Sequence, residues 1–466
     1  MILGILLGLL CLARPAGDKG EPLILEGAEH FTVEGRGAMV NLVGNVRFHR
    51  GDVKLRADQA LWDRSQDVVN FNGNFQVDHP SGKIRSFSGR YERATGSAMA
   101  TNGAVLTDST GKVTLTANTV TYNRLTRTAE AFGAPVFRKI DTLDTLEIRA
   151  QRLIWQEKEK IAQALGDVTL RKGTLVAKAS EARLEQNSHK LFLRGSPVAT
   201  MGKRVLKGRE IQLIVDLKTQ KIREITVNRN AEGVFQNDPD SSGQVNSGRL
   251  SGDTLHALVD GDVLKDVWVW NGAKGSSWSR DTTRKDELEG DSIGFTFEGK
   301  KLRQVRAFRK AVGKFRSEAD SAGVSQCGRL SADTLIAWLV DGRFQTVSVW
   351  PKAKGLSWRS NDSTRKDELE GDSIGFAFDG KKLGSARVRG AARSYYHHLE
   401  NGKYKGKNEA RGDLLRIAFK NGRVNRVRIT GTARGTYWGE PKTKDKSDST
   451  SAKADSLRTP APRATK

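Results

Sequence analysis

Acidic residues recur through the second half of this 466-residue chain in a way that invites a chemical reading. Asp253, Asp291, Asp333, Asp372 and Asp413 each stand in a Gly/Ala-Asp-x-Leu/Ile setting, about forty residues apart. Glycoside hydrolysis needs two carboxylates at a defined separation in one cleft. A carboxylate that returns in every repeat is instead expected at a structural corner. The blocks Asp286–Asp291 and Asp367–Asp372, both DELEGD, carry charge enough for calcium but lack the Gly-rich, Asp-dense nonapeptide of calcium-binding β-rolls. Arg284, Lys285, Arg365 and Lys366 stand beside them, the pattern of solvated hairpins with cross-strand ion pairs. The one histidine cluster is His397-His398 in YYHHLENG, with no second Cys or His group nearby in sequence to complete a zinc site, so a polar hairpin is expected there. The phosphate-cradling loop and the dinucleotide fingerprint are both missing, and Gly-x-Ser-x-Gly occurs only as GDSIG at 290–294 and 371–375, inside the duplicated block. The expectation is a protein that is not an enzyme and takes neither metal nor cofactor.

The elements that carry these residues are legible from glycine spacing. Gly44, Gly73, Gly103, Gly133, Gly166 and Gly195 are separated by 29, 30, 30, 33 and 29 residues. Each is followed by a small or polar residue and a short apolar alternation. Within one unit Val46 and Phe48 alternate with Asn45 and Arg47, and Val53 and Leu55 with Lys54 and Arg56, which is the period of a strand with one buried face. HRGD and DRSQ interrupt the alternation with turn chemistry. The glycine is expected where a strand bends sharply or φ is positive. A second marker runs in phase: Ala57-Asp58, Ala117-Asn118 and Ala150-Gln151, each leading through apolar alternation to Trp62, Tyr122 or Trp155. Near residue 236 a turn-rich stretch, QNDPDSSGQVNSG, precedes a region whose period lengthens to about forty. The block TRKDELEGDSIGF occurs there twice, at 283–295 and 364–376.

The expected fold class is therefore all-β: an extended stack of short antiparallel strands, solenoid-like, with about 30–40 residues per repeat. Residues 18–235 form the thirty-residue region and 236–440 the second, with longer hairpins. Residues 441–466 lack apolar periodicity and read as a disordered basic tail. Residues 1–17 read as a secretory signal. Its removal would leave Cys327 without an intrachain partner, whereas retention, or acylation at Cys11, would tether the chain. Hydrophobic residues make up 37% of the chain, which suits the thin, long core of stacked repeats. A net charge of +24 points to an anionic partner. The basic residues are spread over turns and outward faces without an aromatic platform or a basic helix, so nucleic acid is not the expected partner.

The phase of these markers resembles the OstA-like (LptA-type) periplasmic proteins, which carry lipopolysaccharide between membranes. The matching stretches are Arg56–Val77, Leu115–Phe137 and, more loosely, Glu147–Leu170. Gly412–Pro441 resembles the longer members of that superfamily. The resemblance implies a β-jellyroll whose apolar interior holds acyl chains, with Val46, Phe48, Val53, Leu55, Phe71, Phe75 and Val77 as groove candidates. It implies lipopolysaccharide as ligand and inner- and outer-membrane transport components as partners through edge strands. End-to-end self-association and an exported, periplasmic location, open to association with the outer membrane, are also implied. No series of lipid-facing strands with aromatic girdles follows, which favours a bridge over an outer-membrane barrel. The competing expectation is a structural β-solenoid that scaffolds the envelope, with inward residues packed on one another.

Overall fold

The computed structural model describes residues 23–140, 144–216, 221–236, 246–260, 263–279, 284–299, 301–341, 343–380, 382–400, 403–420 and 423–439. The expected export segment and the tail from Pro441 lie outside them, as does most of the turn-rich stretch after Gln236. The described residues are almost entirely strand, with one 3-10 turn at Gly35–Gly37, and every strand pairing with a described register is antiparallel. The chain is an all-β stack, as its period-two alternation predicts. It divides into two compact units, one comprising residues up to Gln236 with Ser251–Leu264, the other Asn237–Leu250 with Lys265 onward.

In the first unit the opening strands are β1 (Ile24–Gly27), β2 (His30–Glu34), β3 (Met39–Arg50), β4 (Val53–Asp63), β5 (Val68–His79), β6 (Gly82–Glu92), β7 (Ser97–Asp108) and β8 (Val113–Asn123). From β3 to β8 each thirty-residue period is realised as two strands of 11 or 12 residues, each bent at its middle. The β3–β4 ladder runs to Val43↔Gln59 and resumes at Val46↔Ala57, so two residues on one strand oppose one on the other. That is a bulge, which bends the strand and sharpens its twist. The same shift falls between Asn72 and Phe75 in β5 against β6. In these strands the bend separates two arms and pairing resumes beyond it, whereas at Gly133 and Gly195 the arms are separate strands, Thr128–Phe132 with Val136–Ile140 and Lys190–Arg194 with Val198–Met201.

The recurring glycines sit in these bends. Gly44, Gly73, Gly103, Gly133, Gly166 and Gly195 all have φ between +75° and +90°, where a side chain is strained. Each except Gly103 is also followed by a residue at positive φ. A partner fifteen residues earlier presses on most of them. A Cβ on Gly73 would lie 2.8 Å from that of Asp58, and Glu29, Asn118, Gln151 and Ser180 crowd Gly44, Gly133, Gly166 and Gly195 in the same way. The clasp is completed by hydrogen bonds. Glu29 N–H and Gln151 N–H each donate to the glycine carbonyl at 3.0 Å. Asn74 Nδ2 donates to Asp58 Oδ2 at 2.8 Å, and Gln151 Nε2 to Asp167 Oδ2 at 2.8 Å.

The second unit uses the same device at an eighteen-residue interval. Asp372 and Asp413 donate their N–H to the carbonyls of Gly390 and Gly431 at 3.0 and 3.3 Å. Asp291 accepts from Arg309 Nη1 at 3.3 Å, and Asp333 N–H reaches the Pro351 carbonyl. The repeat-phase aspartates thus stand at corners. The longer period goes into longer strands. Val263–Ser279 and Lys285–Glu298 carry the residues SSWS and KDE within their ladders, because the alternation of Asp286 and Leu288 with Glu287 and Glu289 continues the strand.

A bulky side chain at a bend must meet both the backbone strain of the left-handed region and the clasping residue. Gly73→Val is expected to cost at least about 2 kcal/mol. Asp58→Ala is expected to cost about 1 kcal/mol. Urea unfolding of each variant checks the order.

Candidate functional site

Alternation through a bend aims one face of each arm inward. In the first unit all seven groove candidates lie on that face and are buried, from Val46 and Phe48 at 0% exposure to Val53 at 6%. Asn70, Asn72 and Asn74, which alternate with Phe71 and Phe75, are exposed, and Gln76 is half-buried. The two arms meet through aromatic rings. Phe71 stacks on Phe75 at 4.9 Å between centroids, Phe48 meets Phe71 edge-on at 5.7 Å, and Phe48 meets Trp62 edge-on at 6.1 Å. Phe75 also lies over Gly89, whose missing side chain makes the room: a Cβ there would be 2.3 Å from the ring. Tyr91 is buried beside this cluster, its hydroxyl accepting from Arg50 Nη1 at the unit's polar margin.

These side chains fill the space between the arms. The cavity bounded by Leu55, Phe75, Val77, Ile84, Tyr91 and Ala98 measures about 10 Å³, room for one water at most. Further along the unit, Leu106, Leu115, Val120 and Phe137 continue the apolar row and are essentially without exposure. Entry of an acyl chain would require the arms to part and the chain's methylenes to replace aromatic contacts. Each buried methylene contributes about 0.8 kcal/mol.

The second unit builds its interior differently. Cross-strand partners along one inward row read Gly275, Leu288, Gly313, Leu330, Gly355 and Leu369, large and small in strict alternation. Each glycine seats a leucine: Gly275 faces Leu250, Gly313 faces Leu335 and Gly355 faces Leu330, at 3.2–3.3 Å from where a Cβ would stand. Neighbouring this row are Asp286 and Asp367, equivalent positions of the two DELEGD blocks. Burial pushes both carboxyls above the ordinary range; Arg284 opposes the shift at Asp286, and at Asp367 the backbone N–H of His397, donating at 2.9 Å, does so.

His397 and His398 lie within the strand Lys382–Glu400 rather than in a loop, because the alternation carries the pairing on to Glu400↔Lys403. Adjacent strand residues face opposite sides, so the two rings do not converge. His397 Nδ1 stands 3.3 Å from Asp367 Oδ1. Among the described residues no cluster of three or more His, Cys, Asp or Glu could hold a metal ion.

The duplicated blocks differ on their outward face. In the first copy Lys314, from the following strand, bridges Glu287 and Glu289 at 3.4 and 2.8 Å. In the second, Lys354 from the preceding strand holds the equivalent Glu368 and Glu370 at 2.5 and 2.6 Å. The place of Lys314 is then taken by Tyr395, whose ring has Arg393 and Lys407 each 4.3 Å from its centroid. A shallow depression of about 420 Å³ opens there, bordered by Lys354, Glu368, Glu370, Arg393, Tyr395 and Lys407. Its ion pairs are half-exposed, so each contributes little to stability.

Sequence reading found the inward set of the first unit but not the aromatic bridge between arms, the Leu–Gly row or the Lys314/Lys354 exchange. Each depends on which residues stand opposite across a ladder, although the recurrence of Ala-Lys-Gly at 273–275 and 353–355 was a signal for the row.

No protein-family model matches the chain, and no curated protein does. Among solved structures, the crystal structure of LptH, the LptA homologous periplasmic component of the conserved lipopolysaccharide transport device from Pseudomonas aeruginosa, is similar over 29% of this chain and 82% of that one. The identity is 19% and the TM-score 0.22. A likeness of that size decides nothing about this chain.

Phe75→Ala removes a ring buried against Phe71 and Gly89, and a loss of about 3–5 kcal/mol is expected in denaturant unfolding. Asp286 carries a raised carboxyl pKa in the folded state. Its contribution to stability is therefore full below the unfolded pKa and declines as pH rises through the folded one. The thermal midpoint of Asp286→Asn is expected to exceed that of the parent at pH 7, with the difference closing by about pH 3.

Proposed function

We propose that the chain is a periplasmic lipopolysaccharide-binding bridge, which takes lipid A acyl chains between the arms of its strands and passes glycolipid toward the outer membrane. The observation that carries this reading is the inward row Phe48, Leu55, Val77, Ile84, Leu106, Leu115 and Phe137, apolar throughout and in register from strand to strand. Parting of the arms converts that row into a trough, and the aromatic contacts at Phe71 and Phe75 are the ones an acyl chain replaces. The surplus of Lys and Arg outside suits the phosphates and acidic core sugars of the same ligand. The domain assignment proposed with it is a first OstA-like region over 18–235 and a second over 236–440.

The edge strands fit a bridge. All five residues of β2 are exposed, with Phe31 at 70%, and β2 pairs with β3 alone among the described residues. A free edge of this kind accepts another strand by β-augmentation. Transport components of the two membranes, or a second copy of this chain, are the proposed occupants.

The small free volume beside Phe75 and Val77, about 10 Å³, favours a second reading, a non-enzymatic scaffold of the envelope whose interior is a permanent core. Photo-crosslinking separates them. With a photoreactive residue placed singly at Phe75, Val77 and Gln76 in cells, lipopolysaccharide adducts are expected at 75 and 77 and not at 76. Folded, exported protein left unlabelled at all three positions would favour the scaffold.

A further inference from the structure

The last strands of the second unit carry an arrangement that ordinary stability would remove. Arg387 of the strand Lys382–Glu400 stands directly opposite Arg416 of Lys403–Lys420, and Arg416 directly opposite Arg428 of Arg423–Thr430. All three are exposed on the outward face of one arm. Arg389 and Arg426, two positions along their strands and of the same parity, are exposed beside them. The residues interleaved with the five on that face, such as Gly375, Ser385, Ala418 and Thr430, carry no charge. Of the carboxylates at this end, Asp372 and Asp413 stand at the bends against Gly390 and Gly431, and Glu409 on the other arm binds Arg393 and Arg411 at 2.8 and 2.5 Å. None of the five joins them.

Like charges directly opposite across a ladder are destabilising. On the other arm of the same two strands Arg393 faces Arg411 in this way, and there Glu409 bonds both. Adjacent strands lie about 4.8 Å apart, so three arginines in a row present guanidinium groups over roughly 10 Å. Guanidinium forks match phosphate oxygens bidentately. No aromatic side chain stands among the five exposed arginines, so the face offers no platform on which bases could stack. At the same end of the chain Tyr437 and Trp438 are 55% and 46% exposed. Aromatic residues of these two types favour the boundary between water and lipid headgroups. The sequence beyond Glu440 continues the positive bias, with seven Lys and Arg against three Asp.

We propose that this arginine ladder is a docking face for an array of phosphate groups, namely the headgroups of an anionic membrane surface. The C-terminal end of the second unit is then the membrane-facing end. The proposal is independent of whether the interior of either unit takes lipid.

The test uses the purified full chain in co-sedimentation with phosphatidylcholine vesicles, with and without phosphatidylglycerol, at low and physiological salt. Binding is expected only with phosphatidylglycerol and is expected to weaken with salt. Each basic residue at a membrane surface changes affinity about fivefold, so Arg416→Gln should lose about that much and Arg387→Gln/Arg416→Gln/Arg428→Gln more than about a hundredfold. A control, Lys54→Gln/Arg85→Gln/Lys178→Gln, removes the same charge from exposed strand positions of the first unit. It shares the same N-terminal segment and is expected to bind nearly as the parent does. Because the triple ladder variant loses repulsion, its thermal midpoint at low salt is expected to be no lower than the parent's, which separates lost binding from lost folding. Equal losses in the two triple variants would mean that net charge alone does the work and would overturn the proposal, as would undiminished binding by the ladder variant. Competition by free inorganic phosphate at millimolar levels would identify a small-anion site in place of a membrane face. Tighter binding of a single-stranded RNA, abolished by the same triple substitution, would replace the membrane with nucleic acid.

Discussion

A tie between one residue and a glycine further along the chain holds this architecture in phase. At most bends of the first unit, and at Gly390 and Gly431 of the second, a polar side chain lies over a backbone that only glycine enters without strain, and hydrogen bonds from the same residue or its neighbours close the bend. The tie fixes where the strand turns and how many residues separate one turn from the next. Everything inward depends on that count, because strand residues alternate faces and an error of one would bring Asn72 inside and send Phe71 to solvent. The aromatic bridge between the arms, the seating of leucines over glycines and the charge pairs outside are all consequences of register that the bends maintain.

The two units apply the same constraint with different interiors. The first closes its arms with large rings, Phe48, Trp62, Phe71 and Phe75, set against a glycine. The second alternates leucine with glycine across the ladder and has the carboxyls of Asp286 and Asp367 nearby. A surface of ring against ring gives up large contact areas when it separates. A surface of leucine in glycine hollows is shallower, and it sits close to groups whose charge is disfavoured there. The outward faces differ as well, and identical blocks acquire different surroundings: the glutamates of DELEGD are held from the following strand in one copy and from the preceding strand in the other, which leaves Tyr395 between Arg393 and Lys407.

Much of this was legible before any coordinates. The glycine period and the two-residue alternation in Val46–Leu55 sufficed for the strands, the bend and the inward set, because a strand with one buried face writes its period directly into the sequence. The role of Asp58, Asn118 and Gln151 was visible only as a marker in phase, since a contact fifteen residues away needs the returning strand to be placed. The same limit hid the arginine ladder. Arg387, Arg416 and Arg428 are unrelated positions in a linear reading and become neighbours only once two hairpins set their registers. His397 and His398 were expected in a turn because polar runs ordinarily are, but cross-strand pairing held them in a ladder.

The bends have one more consequence, for how such a chain tolerates change. Because most bends are tied by their own pair of residues, a slip of one position within an arm is contained between two ties and does not spread along the stack. Loss or gain of a residue near a hairpin tip would scramble the faces of a single arm and leave the rest in frame. Whole rungs, which bring their own ties with them, can be copied without disturbing their neighbours, and the repeated TRKDELEGDSIGF block is what such copying leaves behind. The stack behaves as a series of independently indexed segments, so its length is free to vary while its inside stays inside.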